Sequence, residues 1–244
     1  GWWEGGGGGV GRGCCKDIRS LLRRRPTGPE RKNYLVSATL SHRVLELAYE
    51  HMNDTQKVEV EPEKVTADLV QQTMFHVSND EKLPLLVGLM RAHEPFRTLV
   101  FINTKRGAEE VEAALKANGL DAATLSGDVP QNKRERLLED FKEGKLPVLV
   151  ATDVAARGLH IPAVSHVINF DLPQDPEDYV HRIGRTARAG AKGDAISLCC
   201  ETWGYSLPEI EAYIGHKIEA GGDITDFLPD DYIKPAPIPR KPRG

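Results

Sequence analysis

The stretch HRIGRTARAG, residues 181–190, packs three arginines and a histidine between glycines, and no carboxylate occurs between Asp178 and Asp194. Arg182, Arg185 and Arg188 recur every three residues, which brings them toward one side of a helical turn. A solvated basic face ordinarily interleaves acidic residues; this one does not. The guanidinium fork is planar, permanently charged and able to bind phosphate in bidentate fashion. In nucleotide hydrolases, an arginine reaching a transferring phosphoryl group is worth about 10³–10⁵ in rate. The predicted chemistry is capture of a phosphate chain.

Two further stretches carry the same kind of groups. ATDVAARGLHIP (151–162) joins a hydroxyl, a carboxylate, a guanidinium and a close-approach glycine in Thr152, Asp153, Arg157 and Gly158, suited to sugar and phosphate contacts. Its plain alternative is a helix capped by Thr152 or Asp153 with Arg157 in solvent. In SGDVPQNKRERLLEDF (126–141), Gln131 and Arg134 open a helix whose first N–H groups already favour an anion. Arg134 there suits either a nucleic-acid phosphate or a surface salt-bridge network with the acidic residues that follow.

The elements that position these groups follow from periodicity. Strands are expected at 69–77, 97–103, 122–126, 147–153, 164–170 and 194–200, with helices at 79–92, 105–117, 131–142 and 175–183. Strands alternating with helices predict an α/β doubly wound parallel sheet covered on both faces, here over about residues 69–218. In such sheets ligands bind beyond the carboxyl ends of the strands. Asn103 and Thr104, Ser126 to Asp128, and Thr152 and Asp153 all fall there.

Ahead of this domain, 1–16 is a glycine-rich, disordered or aberrant segment. YLVSATL (34–40) reads as a buried strand and 41–52 as a helix capped by Ser41, while 58–68 reads as a linker. The tail from Glu219 is first acidic, then proline-rich and basic, and is expected to be flexible. Its last residues, 234–244, suit either sequence-independent affinity for a nucleic-acid backbone or a solvated linker. A net charge of −4 excludes a wholesale polyanion binder, so nucleic-acid contact has to come from a local patch. No apolar run approaches membrane-spanning length and the opening residues lack a signal-peptide layout, which predicts a cytoplasmic protein. Cys14-Cys15 and Cys199-Cys200 form adjacent pairs, neither a metal spacing nor a disulfide framework.

The ordered series SAT (37–39), LVFINT (99–104), SGD (126–128), QNKR (131–134), ATDVAARGLHIP and HRIGRTARAG resembles the second half of a DEAD-box ATP-dependent RNA helicase, over roughly residues 16–218. The resemblance implies two RecA-like lobes closing over ATP and one RNA strand. Residues 17–57 then correspond to the end of the first lobe, with Ser37, Ala38 and Thr39 coupling ATP hydrolysis to strand separation. Asn103, Thr104, Gly127, Arg134, Thr152 and Gly158 are implied to line the RNA backbone. Asp153 and His160 are implied on the ATP side. Arg185 and Arg188 are implied as arginine fingers, and His181 and Arg182 as bridges toward the first lobe and the Thr152-Asp153 turn.

Two positions depart from the family. His160 stands where most members carry an aspartate that meets the ATP ribose, and Ala187 replaces a more common glycine, a change expected to matter little. Neither a GxxxxGK[ST] phosphate loop nor a DEAD tetrapeptide for magnesium occurs in the sequence. WWEGGGGGVGRGCC stands in the place of the latter, as truncation, fusion or a frame error would leave it. The implied function is the C-terminal half of an RNA helicase in RNA turnover, with ATP and Mg²⁺ held mainly by the first lobe and no ATPase expected from this polypeptide alone. The alternative is a non-catalytic RNA-binding module or one docking on the scaffold ribonuclease RNase E of the RNA degradosome, since ARGLHIP with LPEIEAYIGHKI (207–218) is similar to bacterial members that dock there. A DNA-directed lobe is a weaker third reading; the 2′-hydroxyl would tell the two apart.

Overall fold

Apolar runs such as TLVF and VLVA form strands buried on both faces, as central parallel strands must be. The computed structural model describes residues 70–93, 96–126, 129–156, 161, 164–187 and 192–238. The elements are β1 (Val70–His76), α1 (Lys82–His93), β2 (Thr98–Phe101), α2 (Lys105–Ala117), β3 (Ala122–Leu125), α3 (Gln131–Lys142) and β4 (Val148–Ala151). They continue with the single-turn α4 (Asp153–Ala156), β5 (His166–Asn169), α5 (Pro176–Ile183), β6 (Gly193–Cys199), α6 (Leu207–Ile214) and the two-residue β7 (Glu219–Ala220). The strands form one sheet in the order β3-β4-β2-β5-β6-β1-β7, parallel at every pairing.

Alternation along the strands feeds two faces. Phe75, Val100, Ile168 and Leu198 meet α1 and α2 on one side. On the other, Leu99, Phe101, Leu149 and Val167 pack with Phe141 of α3, and Val70 and Met74 pack with Tyr179 and Ile183 of α5 and Ile210 of α6. Thr104 caps α2 by accepting from the Gly107 N–H at 3.1 Å, and Asp175 caps α5 by accepting from the Glu177 N–H at 2.9 Å ahead of Pro176.

The helices expected at 105–117 and 131–142 have those bounds, and each of the six expected strands lies within two residues of an observed one at either end, most of the observed ones being shorter. The segment from Glu219, expected to be flexible on composition, differs: its first fifteen residues are built into the domain. β7 pairs with β1, and Phe227, Leu228 and Tyr232 pack on the α1–α2 face, with the Phe227 ring edge-on to Phe75 at 5.4 Å. Asn118 at the end of α2 both donates to the Ile233 carbonyl (2.8 Å) and accepts from the Ile233 N–H (2.9 Å), closing the strap as a neighbouring strand would. Gly88 lets it pass: a Cβ there would lie 1.6 Å from the Phe227 carbonyl oxygen. A few apolar residues among prolines and acids suffice, because the exposed helix face supplies the partner surface that composition cannot show. The glycine-rich opening, the first-lobe elements with Ser37, Ala38 and Thr39, and the linker 58–68 lie outside the described residues.

Candidate functional site

Register alone assembles the centre of the site. Phe101 of β2 is paired with Ala151 of β4 on one side and Asn169 of β5 on the other. Two residues past that level, Asn103, Asp153 and Asp171 therefore emerge side by side at the carboxyl edge of the sheet. Into this row comes Arg182, from the last turn of α5, only 1% exposed. Its Nε and Nη2 donate to the two Asp153 carboxylate oxygens at 2.7 and 2.6 Å. Nη2 also donates to Asn103 Oδ1 (2.8 Å), and Nη1 to the Asp171 carbonyl (2.6 Å) and Asn169 Oδ1 (3.5 Å). The guanidinium carbon sits 5.1 Å from the Phe101 ring centre. All five donors of the fork meet acceptors inside the domain.

Sequence reasoning gave Arg182 two bridges, one to the first lobe and one to the Thr152-Asp153 turn. The described structure places it on the turn, buried and saturated, as a residue that holds others. His181, one position earlier, is exposed, with Nδ1 3.9 Å from Asp178 Oδ1. Arg185 begins the turn after α5, half-buried; its N–H donates to the Arg182 carbonyl and its own carbonyl accepts from Val164 N–H, both at 3.1 Å. Thr186 fixes this turn through its hydroxyl, 2.8 Å from the Val164 carbonyl. Ala187 follows with φ +52, the left-handed region, at the position where the resembling family favours glycine. Arg188, Gly127, Gly158 and His160 lie outside the described residues.

On the other side of the row, Asn103 is held at every polar atom the network reaches: its Nδ2 donates to the Leu172 carbonyl (2.8 Å) and its N–H to Asp171 Oδ2 (3.0 Å). Thr104 is exposed at the N-terminus of α2 next to Lys105 and Arg106. Thr152 is buried, and its hydroxyl accepts from the Ala155 N–H at 3.4 Å, the capping alternative foreseen for this turn. Arg134 donates from Nη2 to the Ser126 carbonyl at 3.1 Å, which folds it over the end of β3, while Arg136 faces Asp140 at 4.0 Å. Pro130 supplies α3 with no side-chain cap, and of the first-turn N–H groups that of Lys133 donates to Asn132 Oδ1 at 2.8 Å.

Several polar residues of this edge were not singled out from sequence. Lys82 is buried at the start of α1, with Nζ 2.5 Å from Asp171 Oδ1 and 4.2 Å from the Phe170 ring centre. Asn169 donates to the Ser197 hydroxyl at 3.0 Å, and Tyr179 donates to Gln72 Oε1 at 2.9 Å. Burial drives the Tyr179 phenol well above its ordinary range, so it stays a donor at any physiological pH. Asp171 could have been found by the strand-end rule, since it follows VINF. Lys82 could not: a lysine ahead of an apolar helix reads as a solvated residue.

A magnesium site finds no support in these groups. Among the described residues no three His, Cys, Asp or Glu side chains converge, and both carboxylate oxygens of Asp153 are held by Arg182. The metal belongs, by the resemblance, to a DEAD tetrapeptide that this sequence does not contain.

A seven-stranded parallel sheet of this order, with charged and amide groups at one edge, is a RecA-like lobe. The profile of the helicase conserved C-terminal domain matches residues 81–190. The ATP-dependent RNA helicase RhlB of Idiomarina loihiensis is 58% identical over 231 residues, covering 95% of this chain and 54% of its own length. Among solved structures, the Escherichia coli DEAD-box protein SrmB bound to the regulator of ribonuclease activity RraA covers 70% of this chain and 98% of its own, with 38% identity and a TM-score of 0.62. Dbp5 of S. cerevisiae bound to RNA and ADP BeF3 covers 86% of this chain and 55% of its own, with 33% identity and a TM-score of 0.70. The chain belongs to the DEAD-box helicase family. It spans 39% to 55% of the length of the curated relatives it matches.

Proposed function

We propose that this chain acts as the C-terminal lobe of an ATP-dependent RNA helicase, offering a surface to the RNA backbone and arginine fingers to ATP. The observation that carries the proposal is the Arg182 clamp. One buried guanidinium ties the Asp153 turn, the Asn103 loop and the arginine-bearing turn after α5 at one edge of the sheet. With Asn103 and Thr152 engaged inside the domain, the RNA-facing groups are the N-termini of α2 and α3 with exposed Thr104 and the Arg134 side chain. Arg185 and Arg188 serve the ATP phosphates, and His160 faces the ribose in place of the family's aspartate. The cytoplasm, where RNA and ATP are at hand, is the compartment that goes with this role.

The 244-residue polypeptide carries no phosphate loop and no DEAD tetrapeptide, so by itself it positions no γ-phosphate and turns over no ATP. Supplied with a separate first lobe, it is expected to give RNA-stimulated turnover that Arg185→Ala or Arg188→Ala lowers about 10³-fold or more. Turnover by the polypeptide alone, or unaltered turnover in both variants, overturns the reading. Loss of residues 234–244 tests the basic tail: the slope of RNA affinity against salt flattens by about one for each phosphate contact removed, and an unchanged slope removes the tail from the interface.

A docking role is favoured by one feature. Tyr205 (62% exposed) and Tyr213 (55% exposed) flank exposed Glu209 along the face of α6 and the turn before it. Amphipathic aromatics of this kind are enriched at protein interfaces. The similarity to helicases that dock on RNase E in the degradosome supplies the partner to try. Capture by that scaffold, lost in Tyr205→Ser/Tyr213→Ser, supports docking; capture unaffected by the pair removes this face from it.

A further inference from the structure

The buried ion pair between Lys82 and Asp171 lies outside every stretch that the sequence marked. Nevertheless it sits where four elements meet. Lys82 is the first residue of α1, and Asp171 follows β5; both side chains are almost entirely buried, at 5% and 7% exposure. Asp171 divides its acceptors among the others. Oδ1 takes Lys82 Nζ, Oδ2 takes the backbone N–H of Asn103 at 3.0 Å, and its carbonyl takes Arg182 Nη1 at 2.6 Å. A buried pair of this type is weak evidence for stability, because desolvation of the two ions offsets much of their attraction, and well-packed apolar residues often serve the fold as well or better. Its distinctive effect is geometric: a charged acceptor holds the one N–H that sets where the chain turns from β2 toward the N-terminus of α2.

We propose that Lys82 and Asp171 are positioning residues for the nucleic-acid edge: Asp171 fixes the backbone at Asn103, and Lys82 holds the Asp171 carboxylate in place toward it. Its RNA consequence rests on the function proposed above; its local consequence does not. Asp171 thus links the loop that leads to Thr104 with the Arg182–Asp153 clamp through a single residue.

Two charge-neutral double variants of the full 244-residue chain separate positioning from packing. Lys82→Met/Asp171→Asn keeps an oxygen that accepts from the Asn103 N–H, whereas Lys82→Met/Asp171→Leu removes it. Amide hydrogen exchange at Asn103 and binding of a fluorescent single-stranded RNA are read for both. The leucine variant is expected to exchange at Asn103 about tenfold to hundredfold faster, the range for loss of a hydrogen bond to a charged acceptor. It binds RNA correspondingly more weakly, while the asparagine variant, which keeps an uncharged acceptor but loses the Lys82 contact that holds it, falls between the leucine variant and the unsubstituted chain in both measurements. Should the leucine variant fail to fold, Lys82→Met/Asp171→Ala takes its place with the same readouts. Equal Asn103 exchange in the acceptor-keeping and acceptor-lacking variants overturns the proposal. Absence of RNA binding by the unsubstituted chain overturns instead the function on which the RNA arm rests, leaving exchange to decide the positioning role.

Discussion

Arg182→Met is the most direct test of the clamp. Methionine has nearly the reach of the arginine stem but none of its donors, so the substitution strands the Asp153 carboxylate, the Asn103 amide oxygen and the Asp171 carbonyl at once. Breaking a buried charge pair from one side costs about 3–5 kcal/mol. Asp153 keeps some contact with water, its side chain being 23% exposed, which places the expectation toward the lower end of that range. For a domain of this size each kcal/mol lowers the melting temperature by roughly 2–4 °C, so a fall of roughly 6–15 °C is expected. Thermal melting and guanidinium denaturation of the unsubstituted chain, Arg182→Met, Arg182→Lys and His181→Ala supply the comparison. Lysine keeps the charge without the fork and should lie between arginine and methionine. His181→Ala, at an exposed position, should change stability by no more than about 0.5 kcal/mol. If Arg182→Met melts within about 2 °C of the unsubstituted chain, less than about 1 kcal/mol, the clamp does not hold the edge together and Arg182 is free for another role.

At Gly193 a Cβ would lie 1.9 Å from Thr186 Oγ1 and 2.5 Å from the Ala187 nitrogen, so Gly193→Ala should cost about 1–3 kcal/mol on denaturation. Ala187→Gly relieves a left-handed alanine but removes a buried methyl, effects of about 1 kcal/mol each, and should leave stability within about 0.5 kcal/mol of its starting value. Phe227→Ala should lower stability by about 2 kcal/mol, since its ring is only partly buried on the α1 face, and a loss below about 0.5 kcal/mol in denaturant titration would count against the strap. Burial lowers the pKa of His166 from 6.5, with nearby His93 adding to the effect and Asp194 opposing it. The folded chain thus takes up this proton less readily than the unfolded one; the contribution is whole above pH 6.5 and is lost as pH falls toward the folded value. His166→Gln should therefore flatten the change in melting temperature between pH 7.5 and 5.5, and an identical slope in the two proteins would rule the histidine out.

Much of the fold was legible from local pattern. LVFI, PVLVA and VINF could only be buried strands, while the caps at Thr104 and Asp175 that start α2 and α5 come from the structure. The strand-end rule selected Asn103, Thr152 and Asp153 because parallel strands send their carboxyl ends to one edge. The arginine-rich stretch pointed to a phosphate ligand because no acid lies near it in sequence, but in the fold Arg182 is compensated by Asp153 from a distant strand end. Local pattern does not carry partnership. That Arg182 turns inward while its neighbour His181 faces water depends on a helical turn meeting a sheet register set 79, 29 and 11 residues away by Asn103, Asp153 and Asp171. Lys82 becomes a buried ion only because β5 delivers a carboxylate above it, and the strap from Glu219 becomes structure only because α1 leaves an apolar face with a glycine at its crossing point. The sequence by itself determined which polar and charged groups are candidates for phosphate contact, and that the strand-end ones among them gather at one edge. The tertiary structure alone decided which of those groups hold the site together and which face outward, because burial and hydrogen-bond saturation are properties of contacts between distant segments.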